Sequence, residues 1–173
     1  MRGATQVVTL RAADRGQWPA IENLLQFYFY ELSAWYPVSF GQDGRYAIGS
    51  KADYLGHAGT QAWLILVDGE LAGCAVIDDE RVDPRCDVNL GYFFVGRRFR
   101  GRGIGSAAFG GLLARYPCAW ELYYLARNEA AAGFWPKAFE RAGVRDVVVS
   151  SAIAHDEACV MHRFVSPVAA ADS

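Results

Sequence analysis

The stretch Arg97-Arg98-Phe99-Arg100-Gly101-Arg102-Gly103-Ile104-Gly105-Ser106 decides how the chain is read. It follows the apolar run Tyr92-Phe93-Phe94-Val95 and precedes a segment of helical character, so it stands at a strand-to-helix junction. Such a junction exposes free backbone N–H groups and the positive end of a helix dipole, which together form an anion site. Glycine lets the backbone approach a ligand closely and take positive φ. Four arginines and three glycines in this one loop therefore point to a ligand that carries phosphate.

Outward from the loop, the periodicity alternates between strand and helix. Gln6 to Arg11 reads as a first strand, Trp18 to Leu32 as a helix with Asp14 before it as a cap, and Lys51 to His57 as a short helix. Asp68-Gly69 separates two apolar runs, Trp63 to Val67 and Leu71 to Ile77, which is a strong hairpin signal. Val88 to Val95 is a further strand in which Gly91 marks a bulge or a close backbone approach. Ile104 to Tyr116 is the helix after the loop, and Gly110 and Gly111 inside it suggest close packing. Ala119 to Leu125 reads as a strand, and Asn128 caps a helix over 129–142 that Pro136 should kink or split. Val147 to Ile153 and Ala158 to Phe164 close the order as a strand pair, and residues 166–173 read as a flexible tail. The expected fold class is α/β in the mixed α+β sense, in one domain spanning 1–173.

Bulk properties narrow the function. With 173 residues, 53% hydrophobic and 21% charged, the chain can build a real core. A net charge of −2 disfavours nucleic acid as partner. Cys74, Cys86, Cys118 and Cys159 form no CxxC pair, so neither a metal site nor a disulfide framework is expected. No apolar run approaches the ~20 residues of a membrane span, and no apolar signal region follows Met1 to Thr5; a cytoplasmic protein without a membrane partner is expected. A Walker loop is absent, and a Rossmann turn on Gly103-x-Gly105-x-x-Ala108 would have to follow its strand directly, whereas arginines intervene.

Two spaced motifs carry a family resemblance. Arg100-Gly101-Arg102-Gly103-Ile104-Gly105 matches the pattern Gln/Arg-x-x-Gly-x-Gly/Ala, and Asn128-x-x-Ala131-x-x-Phe134-Trp135-x-Lys137 is similar to Asn-x-x-Ala-x-x-Phe-Tyr-x-Lys. In this order, with a strand between them, they resemble the GNAT superfamily of N-acetyltransferases. Glu22 to Gln26 and Tyr30 to Ser33 look like a bacterial branch of it. The resemblance implies a mostly antiparallel twisted sheet with a splayed parallel strand 4/strand 5 pair, flanked by about four helices. It implies acetyl-CoA as acyl donor, no metal, and a small-molecule, peptide or protein amine as acceptor, and it is compatible with a homodimer. Carried over by motif, the donor would be held by Phe93, Val95, Arg98, Arg100, Gly101, Arg102, Gly103, Ile104, Gly105, Ser106, Asn128, Phe134 and Trp135.

The catalytic groups do not follow so directly. Trp135 stands where the family commonly has an acid tyrosine, and an indole N–H is no usable acid at neutral pH. Tyr92, Tyr123 or Tyr124 can substitute, and Glu31, Asp87 and Glu121 are candidate bases, each against the plainer reading of a packed tyrosine or a structural carboxylate. Tyr30, Glu31, Trp35 and Tyr36 are candidates to line an acceptor pocket for a small cationic amine. The rival reading is an acyl-CoA-binding sensor or partner-binding protein without turnover, since no obvious acid and base are present.

Overall fold

The computed structural model describes residues 6–167. Asp68 and Gly69 both take positive φ (51° and 83°), the twist a two-residue hairpin turn needs. Leaving that turn, β2 (Gln61–Val67) and β3 (Glu70–Asp78) pair antiparallel. β1 (Val8–Ala12) adds to β2, and β4 (Val88–Val95) adds to β3, both antiparallel. Along the β3–β4 ladder Val76 faces Tyr92 and Ile77 faces Leu90, which leaves Gly91 as the extra, bulged residue. The bulge expected at Gly91 is therefore present.

β5 (Ala119–Leu125), β6 (Val148–Ala154) and β7 (Glu157–Val165) complete a seven-stranded sheet in the order β1-β2-β3-β4-β5-β7-β6. Only β4 and β5 run parallel, and they pair at just two register positions, Val88 with Trp120 and Asn89 with Glu121. Beyond Asn89 the two strands part. The sheet is thus mixed, mostly antiparallel and splayed at its one parallel pair.

Helices cover both faces. α1 (Trp18–Leu32) and α2 (Ala52–Leu55) bury Ile21, Leu25 and Leu55 against Leu64, Cys74 and Val76. α3 (Ile104–Arg115) and α4 (Glu129–Arg141) bury Phe109, Leu112, Trp135 and Ala138 against Ala75, Ile77, Trp120 and Leu122. Neighbouring residues of β3 thus serve opposite cores, and the strand is buried without a break from Ala72 to Asp78.

Three local expectations are corrected. Pro136 does not split α4, which runs unbroken from Glu129 to Arg141 with Trp135, Ala138 and Phe139 anchoring it from the buried side. Gly111 does pack closely, since a Cβ there would meet Leu10 at 3.0 Å, but Gly110 has nothing within 4 Å. Ser166 is buried and its N–H donates to the Cys118 carbonyl at 3.0 Å, so packed structure enters the segment expected to be a tail. The rest of that segment, 168–173, lies outside the described residues.

Glu121 is fully buried on β5, and its two carboxylate oxygens accept the N–H groups of Val82 (2.7 Å) and Asp83 (2.8 Å). It pins the connection between β3 and β4 beside the point where β4 and β5 part. It lines no cavity at that split, so its expected candidacy as a base gives way to a structural role. Glu121→Ala leaves two backbone donors without partners and is expected to lower unfolding free energy by about 2–4 kcal/mol in denaturant titration. Unchanged stability would contradict that role.

Candidate functional site

Where β4 and β5 separate, two cavities open, each of about 490 Å³. They abut at Tyr28, Leu32 and Asn128, which line both.

The first cavity is built on the arginine–glycine loop. Gly103 is the N-cap of α3 at φ 79°, and Gly101 also has positive φ (75°), conformations that L side chains take only with strain. The first N–H of α3 to find a backbone acceptor is that of Ala107, which donates to Gly103. The amides of Ile104, Gly105 and Ser106 are thus left free beside the cavity. Phe93 and Val95 come from the unpaired edge of β4, and Phe134 and Trp135 from α4. Asn128 caps α4 by accepting the Ala131 N–H (3.0 Å) and faces the same space.

Of the residues expected at the donor, all but Arg98 and Arg102 line this cavity. Arg98 is held away by a bidentate pair with Glu70 (2.6 and 3.0 Å). Arg102 donates to the Arg98 carbonyl (2.7 Å) and lies over the Phe99 ring. Arg97 turns to Glu31 (2.7 Å). Arg100 is the one arginine of the four in the cavity, fixed by donation from its Nε to the Val95 carbonyl (2.7 Å). Lys137 and Arg141 from α4 supply further positive charge. Arg141 had no signal in the sequence, because it lies beyond the second motif and reads as a helix-end cation.

Glu31 also lines this cavity and not the second. Its hydrogen bond with Arg97 and the charge of Arg100 hold its carboxyl below the usual carboxylate range despite partial burial. A carboxylate held ionised by two arginines is a weak base. Trp35 lines the first cavity as well, Tyr30 is exposed, and only Tyr36 of the four residues expected at an acceptor reaches the second cavity. Asp87 is occupied in accepting the Ala119 N–H (3.0 Å). Trp135 is core, packed on the rings of Phe93, Phe109 and Phe134.

The second cavity is aromatic and acidic. Tyr28, Phe29, Tyr36, Tyr54, Tyr92, Tyr123 and Tyr124 line it, with Asp78, Glu80, Asn89 and Lys51. Tyr92 makes edge contacts with Tyr28 (5.3 Å) and Tyr54 (5.8 Å). Tyr124 stacks on His162, whose burial keeps its imidazole neutral to lower pH. Tyr92, Tyr123 and Tyr124, which the sequence offers as candidate acids, all line it, whereas Asp78 and Glu80 carried no signal in the sequence. Among the described residues no group of three or more His, Cys, Asp or Glu is arranged to hold a metal, and no helix is long and apolar enough to cross a membrane.

Known proteins share this architecture. The sequence model of the acetyltransferase (GNAT) family matches residues 18–140. No curated protein sequence matches the chain. Among solved structures, an acetyltransferase from Thermus thermophilus superimposes with a TM-score of 0.65 at 13% identity, covering 92% of this chain and 97% of that one. The aminoglycoside acetyltransferase AAC(6')-Ib in complex with coenzyme A gives 0.65 at 15% identity, with 92% and 95% covered. A spermidine N-acetyltransferase from Vibrio cholerae, in complex with CoA and spermine, gives 0.62 at 14% identity, with 92% and 95% covered. At these identities the likeness is one of fold.

The tyrosines of the second cavity carry a pH prediction. Burial raises Tyr92 from the ordinary phenol value to about 12, and raises Tyr28 and Tyr54 further. A folded-state value above the unfolded one means the folded state keeps its proton while the unfolded chain loses one. The stabilisation is complete below pH 10 and is lost as pH rises from about 10 through 12. Phenolate absorbance is expected to leave these tyrosines silent near pH 10 and to bring them in only as the protein unfolds. A tyrosine cluster that ionises reversibly near pH 10 in the folded state would contradict it.

Proposed function

The chain belongs to the acetyltransferase (GNAT) family, and on that premise we propose that it transfers the acetyl group of acetyl-CoA to a primary amine. The observation that carries the proposal is the pair of abutting cavities at the β4/β5 split, one lined by an anion-binding loop and the other by tyrosines and carboxylates. A sensor of acyl-CoA needs only the first cavity; the second favours turnover.

The first cavity fits the donor on three counts. Free amides at the N-terminus of α3, with Arg100 and Arg141 nearby, suit a diphosphate. The unpaired edge of β4 at Phe93 and Val95 suits the amides of a pantetheine arm, as strand addition would. The remaining amide capacity of Asn128, at the junction of the cavities, suits the same arm. Acetyl-CoA supplies an acyl thioester, activated toward a nitrogen nucleophile. The chain's own part is to bring two reactants together across the Tyr28–Leu32–Asn128 junction. The second cavity also presents the phenols of Tyr92 and Tyr124, which burial shifts above the ordinary phenol value and so keeps as hydrogen-bond donors.

Release of free thiol from acetyl-CoA with a panel of amines tests the proposal. Acceptor-dependent release is expected in the wild type. The double variant Arg100→Glu, Gly103→Glu should raise the KM for acetyl-CoA about a hundredfold or more while keeping its circular dichroism, because each charge-assisted bond lost is worth about 1.5–3 kcal/mol. CoA binding with no release for any amine would overturn turnover in favour of the sensor. No CoA binding would overturn the donor site itself.

A further inference from the structure

The second cavity is lined by two carboxylates, Asp78 and Glu80, and by one lysine, Lys51, whose Nζ lies over the Phe29 ring and pairs with neither carboxylate. Asp78, at the end of β3, is 1% exposed and has no cationic partner among the described residues. Its Oδ1 accepts the Asn89 Nδ2 (2.9 Å) and the Glu80 N–H (3.0 Å), and its Oδ2 accepts the Tyr54 hydroxyl (2.5 Å). A carboxylate offers about four lone-pair positions. Three are used, so one remains, on Oδ2. That oxygen lies against the bulge of β4, where a Cβ on Gly91 would meet it at 2.1 Å and the Tyr54 oxygen at 2.5 Å. Glycine at 91 is what lets this carboxylate sit beside the split.

A second observation is on Asn89. Because Oδ1 of Asp78 already accepts the Glu80 N–H, Asn89 turns its NH₂ toward that oxygen, which fixes the amide orientation. The Asn89 Oδ1 is then buried without a partner in a residue 3% exposed, and this residue lines the same cavity. A buried carboxylate without a counter-ion and a buried carbonyl without a donor are each costly. A cation carrying several N–H donors supplies what each lacks, a counter-charge for Asp78 and a donor for the Asn89 carbonyl. The surrounding wall of tyrosine and phenylalanine rings favours a cation with an apolar stem.

We propose that the Asp78–Asn89 corner of the second cavity is an ammonium site, which selects as acceptors primary amines borne on a flat or slender apolar body. This rests on the reading of the second cavity as the acceptor side and narrows it to a substrate class. Burial first and Asp78 next push the Tyr54 phenol far up, so it remains a donor to Asp78 and does not compete for the ammonium. Glu80 extends the negative charge at the exposed side of the cavity.

The test measures binding of benzylamine, 2-phenylethylamine and hexylamine, each beside its alcohol of the same body, to the CoA-loaded protein at neutral pH. Wild type is expected to bind at least one of these amines about thirtyfold or more tightly than its alcohol, because truncating a buried charge pair costs about 2–5 kcal/mol. Asp78→Asn should abolish that preference while leaving CoA affinity within about twofold, as for a separate site. A wild type that binds amines and alcohols alike, or that binds no amine of the three, overturns the proposal even if Asp78→Asn fails to fold. An Asp78→Asn protein that binds CoA and keeps the amine preference also overturns it, and leaves the acetyltransferase reading standing. Loss of CoA binding in the wild type would sink that broader reading instead.

Discussion

The separation of β4 from β5 is the constraint on which the rest of this structure depends. A parallel pair that stops after two register positions leaves backbone donors and acceptors of Leu90 to Val95 without strand partners on one side. Burying them beneath α1 and α4 would be untenable unless something else met them. The chain does not close the gap; it holds it open. Glu121 fixes the β3–β4 connection from β5, the Gly91 bulge turns β4, and Asp78 with Tyr54 fills the space against that bulge. The core stays continuous on both faces while the seam between the strands stays free for ligands.

Charge is arranged around the seam with the same economy. The loop that looks uniformly basic in sequence is largely self-neutralised. Arg97 and Arg98 are engaged by Glu31 and Glu70, and Arg102 folds back onto its own loop. Arg100 alone of these is left facing the first cavity, where it is joined by Lys137 and Arg141 from α4. On the other side of the junction the balance reverses, with Asp78 and Glu80 among phenols. A mainly positive first cavity beside a second one with two carboxylates to a single lysine is a physical basis for sorting a phosphate-bearing reactant from a cationic one.

The elements that read clearly from sequence are those with local physics. Asp68-Gly69 specifies its turn through two positive-φ positions, Asn128 caps its helix through one side-chain bond, and Gly91 announces a bulge because nothing else weakens that strand. The arginine–glycine loop was legible for the same reason, since its shape is set by positive φ at Gly101 and Gly103. What was not legible depends on long-range placement. Asp78 looks like the first residue of a polar connection until the β3–β4 register puts it against Gly91. Glu31 looks like a candidate base until α1 delivers it to Arg97, 66 residues away in sequence. Pro136 looks like a breaker until the burial of its neighbours holds the helix together across it.

The most direct measurement of the central claim is amide hydrogen exchange of the protein with and without CoA. If the free edge of β4 and the start of α3 are where the donor is held, CoA will slow exchange at Phe93 to Val95 and at Ile104 to Ser106. The β6–β7 pair, on the far side of the sheet, will keep its rates. Unchanged exchange along β4 and at the head of α3 in protein shown to bind CoA would contradict the account, because the split would then not be the binding seam.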